Sequence, residues 1–191
     1  GINTFHGYLD EKVLNPIKNG ADLLLASNVF AHSDDLKSMA ESMKKLIKPE
    51  GKIIIEVQHL LRTLEDLTFD NIYHEHVNYW SLTSLITFFK DLGLIIFDVE
   101  EINTHGGSIR IYISQDKKIK INSSVIDLLN KEEQFGLKEI NTYLNFGKKV
   151  ENIKLNFLKN IKILKEKHNE IIGYGAPAKA TTALNYFNVG N

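Results

Sequence analysis

The sequence predicts an α/β fold, and three observations carry that expectation. Residues 22–27 (DLLLAS) and 52–57 (KIIIEV) are continuous apolar runs of the kind that form strands buried on both faces. An amphipathic stretch separates them, and strand–helix–strand order implies a parallel pair joined by a right-handed crossover. Further along, residues 94–102 and 108–114 read as strands around the short loop 103–107, which makes an antiparallel hairpin.

Each element has its own signal. After the first strand, Ser33 and Asp34 offer a helix N-cap. Leu36, Met39, Ala40, Met43, Leu46 and Ile47 then recur at steps of three and four, one face of a helix that Pro49, Glu50 and Gly51 stop. Leu60, Leu61, Leu64 and Leu67 suggest a short helix past the second strand. Ser81 caps the next one, with Leu82, Leu85, Ile86, Phe89 and Leu92 inward and Gly93 as its stop. Residues 122–168 are helical throughout, broken or bent near Gly136. Ile140, Leu144, Val150, Ile153, Phe157, Ile161 and Leu164 mark the apolar stripe of a solvated linking helix. Residues 170–175 (EIIGYG) read as a strand entering a glycine-rich turn, with a helix over 181–187. Three regions follow: 1–118, 119–168 as a helical connector, and 169–191 as the first βα unit of a second domain. The chain opens partway through what reads as a βα unit, as a fragment of a longer protein would.

Composition narrows the functional classes. Of 191 residues 43% are hydrophobic and 25% charged, which suits a globular protein. Twenty-three basic side chains balance 24 acidic ones, so nothing favours a nucleic-acid backbone as partner. The sequence has no cysteine, which excludes disulfides and thiolate zinc sites and fits a reducing, cytoplasmic setting. No apolar run approaches the roughly 18 residues of a membrane span.

The chemistry concentrates in a few short strings. Tyr73, His74, Glu75 and His76 place a base, an acid and an orienting carboxylate within four residues. One histidine of the run can act as general base, with Tyr73 or Glu75 positioning substrate. Alternatively, His74 and His76 bind a metal from one side of an extended segment, with His32, His59 or His105 as third ligand. The run can also simply hydrogen-bond loop backbone. His105, Gly106, Gly107 and Ser108 fall in the hairpin loop, where paired glycines serve the turn or let backbone approach a ligand. Gly173, Tyr174, Gly175, Ala176, Pro177 and Lys179 precede a helix, as a phosphate-cradling loop does, although the spacing is not that of a Walker loop. Asn28 and His32 lie at the carboxyl end of the first strand and Gln58 and His59 at that of the second, where open α/β sheets bind ligands.

Taken in order, NVFAH at 28–32, IYHEH at 72–76, HGGSIR at 105–110 and GYGAPAK at 173–179 resemble the sugar C-methyltransferase family, which methylates nucleotide-linked deoxy-keto-sugars. The resemblance spans essentially the whole chain. It implies the second half of a Rossmann-like methyltransferase sheet, long helices, and the start of a C-terminal Rossmann-like domain, with the sugar nucleotide between the two domains. The family's cysteine-rich zinc domain and glycine-rich cofactor loop are not in this sequence. By motif match, His76 is the general base, with Tyr73, Glu75 and His32 around the reacting sugar. Asn28 and Val29 face the S-adenosylmethionine cofactor. His105, Gly106, Gly107, Ser108 and Arg110, with Gly173, Tyr174, Gly175, Ala176, Pro177 and Lys179, contact the sugar nucleotide. The rival readings are a metal-dependent hydrolase or lyase built on His74 and His76, a non-catalytic nucleotide-sugar-binding module, and an oxygen-methyltransferase.

Overall fold

The structure is a computed structural model that describes residues 4–9, 17, 19–168 and 170–189. The expected opening βα unit falls largely on residues 1–3 and 10–16, outside the described residues. The rest forms a mixed four-stranded sheet in the order β1-β2-β4-β3, with helices packed against it.

Strand β1 (Ala21–Ser27) leads through a 3-10 turn, Phe30–His32, into helix α1 (Leu36–Leu46). Asp35 caps α1 by accepting from the Ser38 amide, one residue after the expected Ser33–Asp34 cap. Strand β2 (Ile47–Gln58) returns parallel to β1, pairing Leu24 with Ile53 and Ala26 with Ile55. It begins earlier than the 52–57 run, because Pro49 to Gly51 are drawn into the irregular start of the ladder beside Ala21. Strand β3 (Ile95–Ile102) and strand β4 (Ser108–Ser114) form the antiparallel hairpin, and β4 lies between β2 and β3. The expected half-sheet ending in a hairpin is therefore present.

Central position explains the core. Ile53, Ile55 and Val57 of β2 and Ile109, Ile111 and Ile113 of β4 are fully buried. Each isoleucine contributes roughly 1.5–3 kcal/mol by leaving water. Helix α3 (Leu82–Asp91) covers them with Leu82, Leu85 and Phe89, and starts in a capping box between Ser81 and Ser84. Strand β1 differs from expectation. It is an edge strand, and Leu23 and Leu25 are 53% and 65% exposed, because among the described residues only one of its faces meets a packed layer.

Helix α2 (Leu60–Glu65) follows β2. Helices α4 (Ser123–Phe135) and α5 (Ile140–Lys167) meet at Gly136, whose left-handed backbone (φ 80°) ends α4. The stripe on α5 is only partly used: Val150 is buried, while Ile140 and Leu144 are exposed. Helix α6 (Ala178–Phe187) forms as expected and begins slightly early. Residues 170–175 are not a strand: a lone extended segment lacks a ladder without a neighbouring strand, and none pairs with it among the described residues. No helix among the described residues is long and apolar enough to cross a membrane.

Candidate functional site

A cavity of about 280 Å³ opens at the carboxyl ends of β1 and β2. Its walls include Asn28, His32, Gln58, Asn71, Tyr73, His76, Tyr79, His105 and Lys179. Segments distant in sequence reach it for identifiable reasons. Phe30 is fully buried against Trp80 and Phe89, at ring separations of 5.7 and 5.6 Å, which fixes the turn carrying His32. Asn78 ties the histidine segment to that turn, donating its amide to the Ala31 carbonyl at 3.3 Å and its Nδ2 to the Ser33 carbonyl at 3.3 Å. The Leu60 amide donates to the Trp80 carbonyl at 2.8 Å, closing the excursion that starts at α2.

Within that excursion residues 73–76 form a turn, closed by the His76 amide donating to the Tyr73 carbonyl at 3.0 Å. The two ends of such a turn can face one way while its central residues point out. Tyr73 and His76 accordingly line the cavity with ring centroids 4.5 Å apart, whereas His74 and Glu75 are exposed and do not line it. The extended geometry required for His74 and His76 to share a metal is thus absent. No three histidine, aspartate or glutamate side chains converge on a metal position among the described residues.

The His76 ring has a defined orientation. Its Nδ1 lies 2.7 Å from the Asn71 carbonyl. A carbonyl oxygen only accepts, so Nδ1 carries the proton and donates, and the Nε2 lone pair of the neutral ring is left to take one. His32 approaches to 5.0 Å between ring centroids. Tyr79 donates to the same Asn71 carbonyl at 3.4 Å, and burial pushes its phenol up, which keeps it a neutral donor.

Glu56, which the sequence reading passed over, organises the strand ends. It is 7% exposed and accepts from Thr104 Oγ1 at 2.9 Å, Arg110 Nη2 at 3.2 Å and Asn28 Nδ2 at 3.4 Å. Burial pushes its carboxyl up, and these donors outweigh that and hold it below the usual carboxylate range. Arg110, expected on substrate, bridges Glu56 and Glu100.

The other expected contacts divide similarly. In the hairpin loop only His105 lines the cavity. Ser108 is buried and donates to the Thr104 carbonyl. Gly107 lies against Arg62, whose Cβ would be 2.7 Å from an added methyl, so its backbone approaches protein there. Gly106 (φ 82°) faces the Asn71 side chain. Gly173, Tyr174, Gly175, Ala176 and Pro177 are exposed ahead of α6, and of that string only Lys179 reaches the cavity. Val29 does not line it either and is half-exposed.

Residues 3–98 match the methyltransferase domain family. The chain belongs to that family. Residues 103–191 match the C-methyltransferase C-terminal domain. The chain is 30% identical over 174 residues to the C-methyltransferase NovU of Streptomyces niveus, covering 90% of this chain and 41% of NovU. It thus spans about two fifths of that relative's length. Among solved structures it is similar to an O-methyltransferase family protein from Burkholderia thailandensis (18% identity, 60% of this chain and 36% of that one, TM-score 0.42). It is also similar to TnmH (20% identity, 51% and 31%, TM-score 0.41).

The methyltransferase family implies S-adenosylmethionine as methyl donor. The described residues fit such a group on one side. The cavity lies at the strand ends where open α/β sheets take ligands, and Asn28 is on its wall. Asn28, on the cavity wall, would meet it.

Proposed function

We propose that the protein containing this chain is a carbon-methylating enzyme acting on a nucleotide-linked deoxy-keto-sugar, with His76 as general base. One observation carries the proposal: the His76 Nδ1 proton is committed to the Asn71 carbonyl at 2.7 Å, and the ring lines the cavity at the strand ends. The 30% identity to a C-methyltransferase and the match of residues 103–191 to the C-terminal domain of such enzymes support carbon as the acceptor atom.

Carbon is a poor nucleophile until a proton leaves it. A ketone beside that carbon makes the proton acidic and holds the resulting charge as an enolate. His76 Nε2 removes the proton. Tyr73 or His32 donates to the developing enolate oxygen, where preorganised donors contribute most. Lys179, on the cavity wall, meets the diphosphate of the sugar nucleotide in this reading. S-adenosylmethionine supplies an electrophilic methyl when bound, and the walls of the cavity align the two reactants.

The test is turnover of the intact enzyme with candidate keto-sugars and analysis of the product. His76→Ala is expected to lose at least about a hundredfold, since a positioned base contributes on the order of 10²–10⁴-fold. Turnover near that of the parent enzyme removes His76 from this role, and a methyl ether in place of a new carbon–carbon bond points to oxygen as acceptor.

A further inference from the structure

Helix α6 reaches the proposed base through a single turn of backbone. Phe187 is 5% exposed and sits in a ring cluster, with Phe157 at 4.9 Å and Phe69 at 5.5 Å. Tyr186 adds a second contact to Phe69 at 5.3 Å. Phe69 opens the 3-10 turn Phe69–Asn71, and the last residue of that turn supplies the carbonyl that holds His76 Nδ1. Backbone hydrogen bonds tighten the link: the Asn71 amide to the Thr68 carbonyl at 3.1 Å, Ile72 to Phe69 at 2.9 Å, and Tyr73 to Asn71 at 3.2 Å.

The Asn71 side chain does not brace this turn. It is 1% exposed, and neither its Nδ2 nor its Oδ1 has a hydrogen-bond partner among the described residues. Side-chain support from the C-terminal side comes from the rings packed on Phe69. The first turn of the same helix carries Lys179 to the cavity.

We propose that Phe69 and Phe187 are positioning residues for His76, acting through the Asn71 carbonyl. The docked C-terminal helix sets the tautomer and aim of the base. This rests on His76 being the base, and it makes the C-terminal segment part of the catalytic apparatus beyond any contact it makes with substrate. Which imidazole nitrogen carries the proton is set by the partner of the other nitrogen. A carbonyl displaced by about 1 Å releases Nδ1, and misplacement on that scale costs up to about a hundredfold in rate.

The experiment uses the intact enzyme labelled with ¹⁵N-histidine, with the His76 ring tautomer read by NMR and kcat and KM measured separately. The parent enzyme is expected to show the Nδ1–H tautomer. Phe187→Ala is expected to give a tautomer mixture and a kcat lower by roughly ten- to a hundredfold, with sugar-nucleotide KM within about threefold. Phe69→Ala, at a half-buried position, should do the same and serves if the Phe187 variant does not fold. Phe69→Tyr, which keeps the ring, should restore both readouts. An Nε2–H tautomer in the parent enzyme overturns the proposal. So do alanine variants that leave tautomer and kcat unchanged, or whose loss lies wholly in KM. Full turnover by His76→Ala sinks the base assignment alone and leaves the tautomer prediction standing.

Discussion

Replacing Glu132 with alanine should be among the most damaging single changes in this chain. Glu132 stands on α4, is 1% exposed, and accepts four hydrogen bonds. Two come from the first backbone amides of α3, Leu82 at 2.6 Å and Thr83 at 2.9 Å. The others come from Thr83 Oγ1 at 2.6 Å and from His59 Nε2 at 2.8 Å, on a fully buried ring. One carboxylate thus caps one helix, ties it to another and pairs with the Nε2 of a buried imidazole at the end of β2. Alanine strands all four donors. Each buried donor left without a partner costs about 1–3 kcal/mol, so the loss should be at least about 3 kcal/mol, which for a chain of this size lowers Tm by roughly 6 °C or more. Glu132→Gln keeps the volume but turns an NH₂ toward a donor, for about 1–3 kcal/mol. Burial pushes the Glu132 carboxyl up, yet the donors from His59, Thr83 and Leu82 outweigh that and hold it below its usual value. Its contribution is therefore present above the unfolded carboxylate value of about 4.3 and is lost as pH falls through the lower folded value. The penalty of Glu132→Gln should shrink accordingly in acid. Urea unfolding followed through the single tryptophan, Trp80, which is buried beside this cap, measures the effect. A cost below about 1 kcal/mol for Glu132→Ala at neutral pH refutes the reasoning.

Three further outcomes follow from the same geometry. Arg110→Ala should destabilise the chain by about 1–3 kcal/mol by leaving the Glu56 carboxylate short of a donor, while sugar-nucleotide KM changes less than about threefold; urea unfolding and steady-state kinetics separate the two effects. Gly107→Ala should cost about 1–3 kcal/mol, because φ of 103° disfavours a side chain and the new methyl would meet Arg62 Cβ at 2.7 Å; thermal unfolding measures it. Lys179→Ala should raise KM for the sugar nucleotide by about tenfold, one charge-assisted contact, with a smaller effect on kcat.

Much of the scaffold was legible because its signals are local. The period-three-and-four pattern through Leu36 and Met43, the Ser81 cap and the left-handed Gly136 all formed where their chemistry required. The apolar run of β1 looked the same as that of β2, yet among the described residues one is an edge and the other central, since a run of leucines reports affinity for a layer and says nothing of whether a layer lies on each side. Residues 170–175 have strand composition and no pairing among the described residues, for a related reason: ladders are made with distant partners. His76, Tyr73 and His32 drew notice by residue type, and all three line the cavity. Asn71 did not, because what it offers His76 is a main-chain carbonyl that any residue could provide. Glu56 and Arg110 lie 54 positions apart, and only the β2–β4 register makes them neighbours.

The most direct test of the central claim is isotope exchange without methylation. Intact enzyme, incubated in heavy water with a candidate nucleotide-linked keto-sugar and an inert analogue of the methyl donor, should wash deuterium into the carbon beside the ketone, and His76→Ala should abolish that exchange. Methylation of that sugar by an enzyme that exchanges no carbon-bound hydrogen, or equal exchange by parent and variant, contradicts the account.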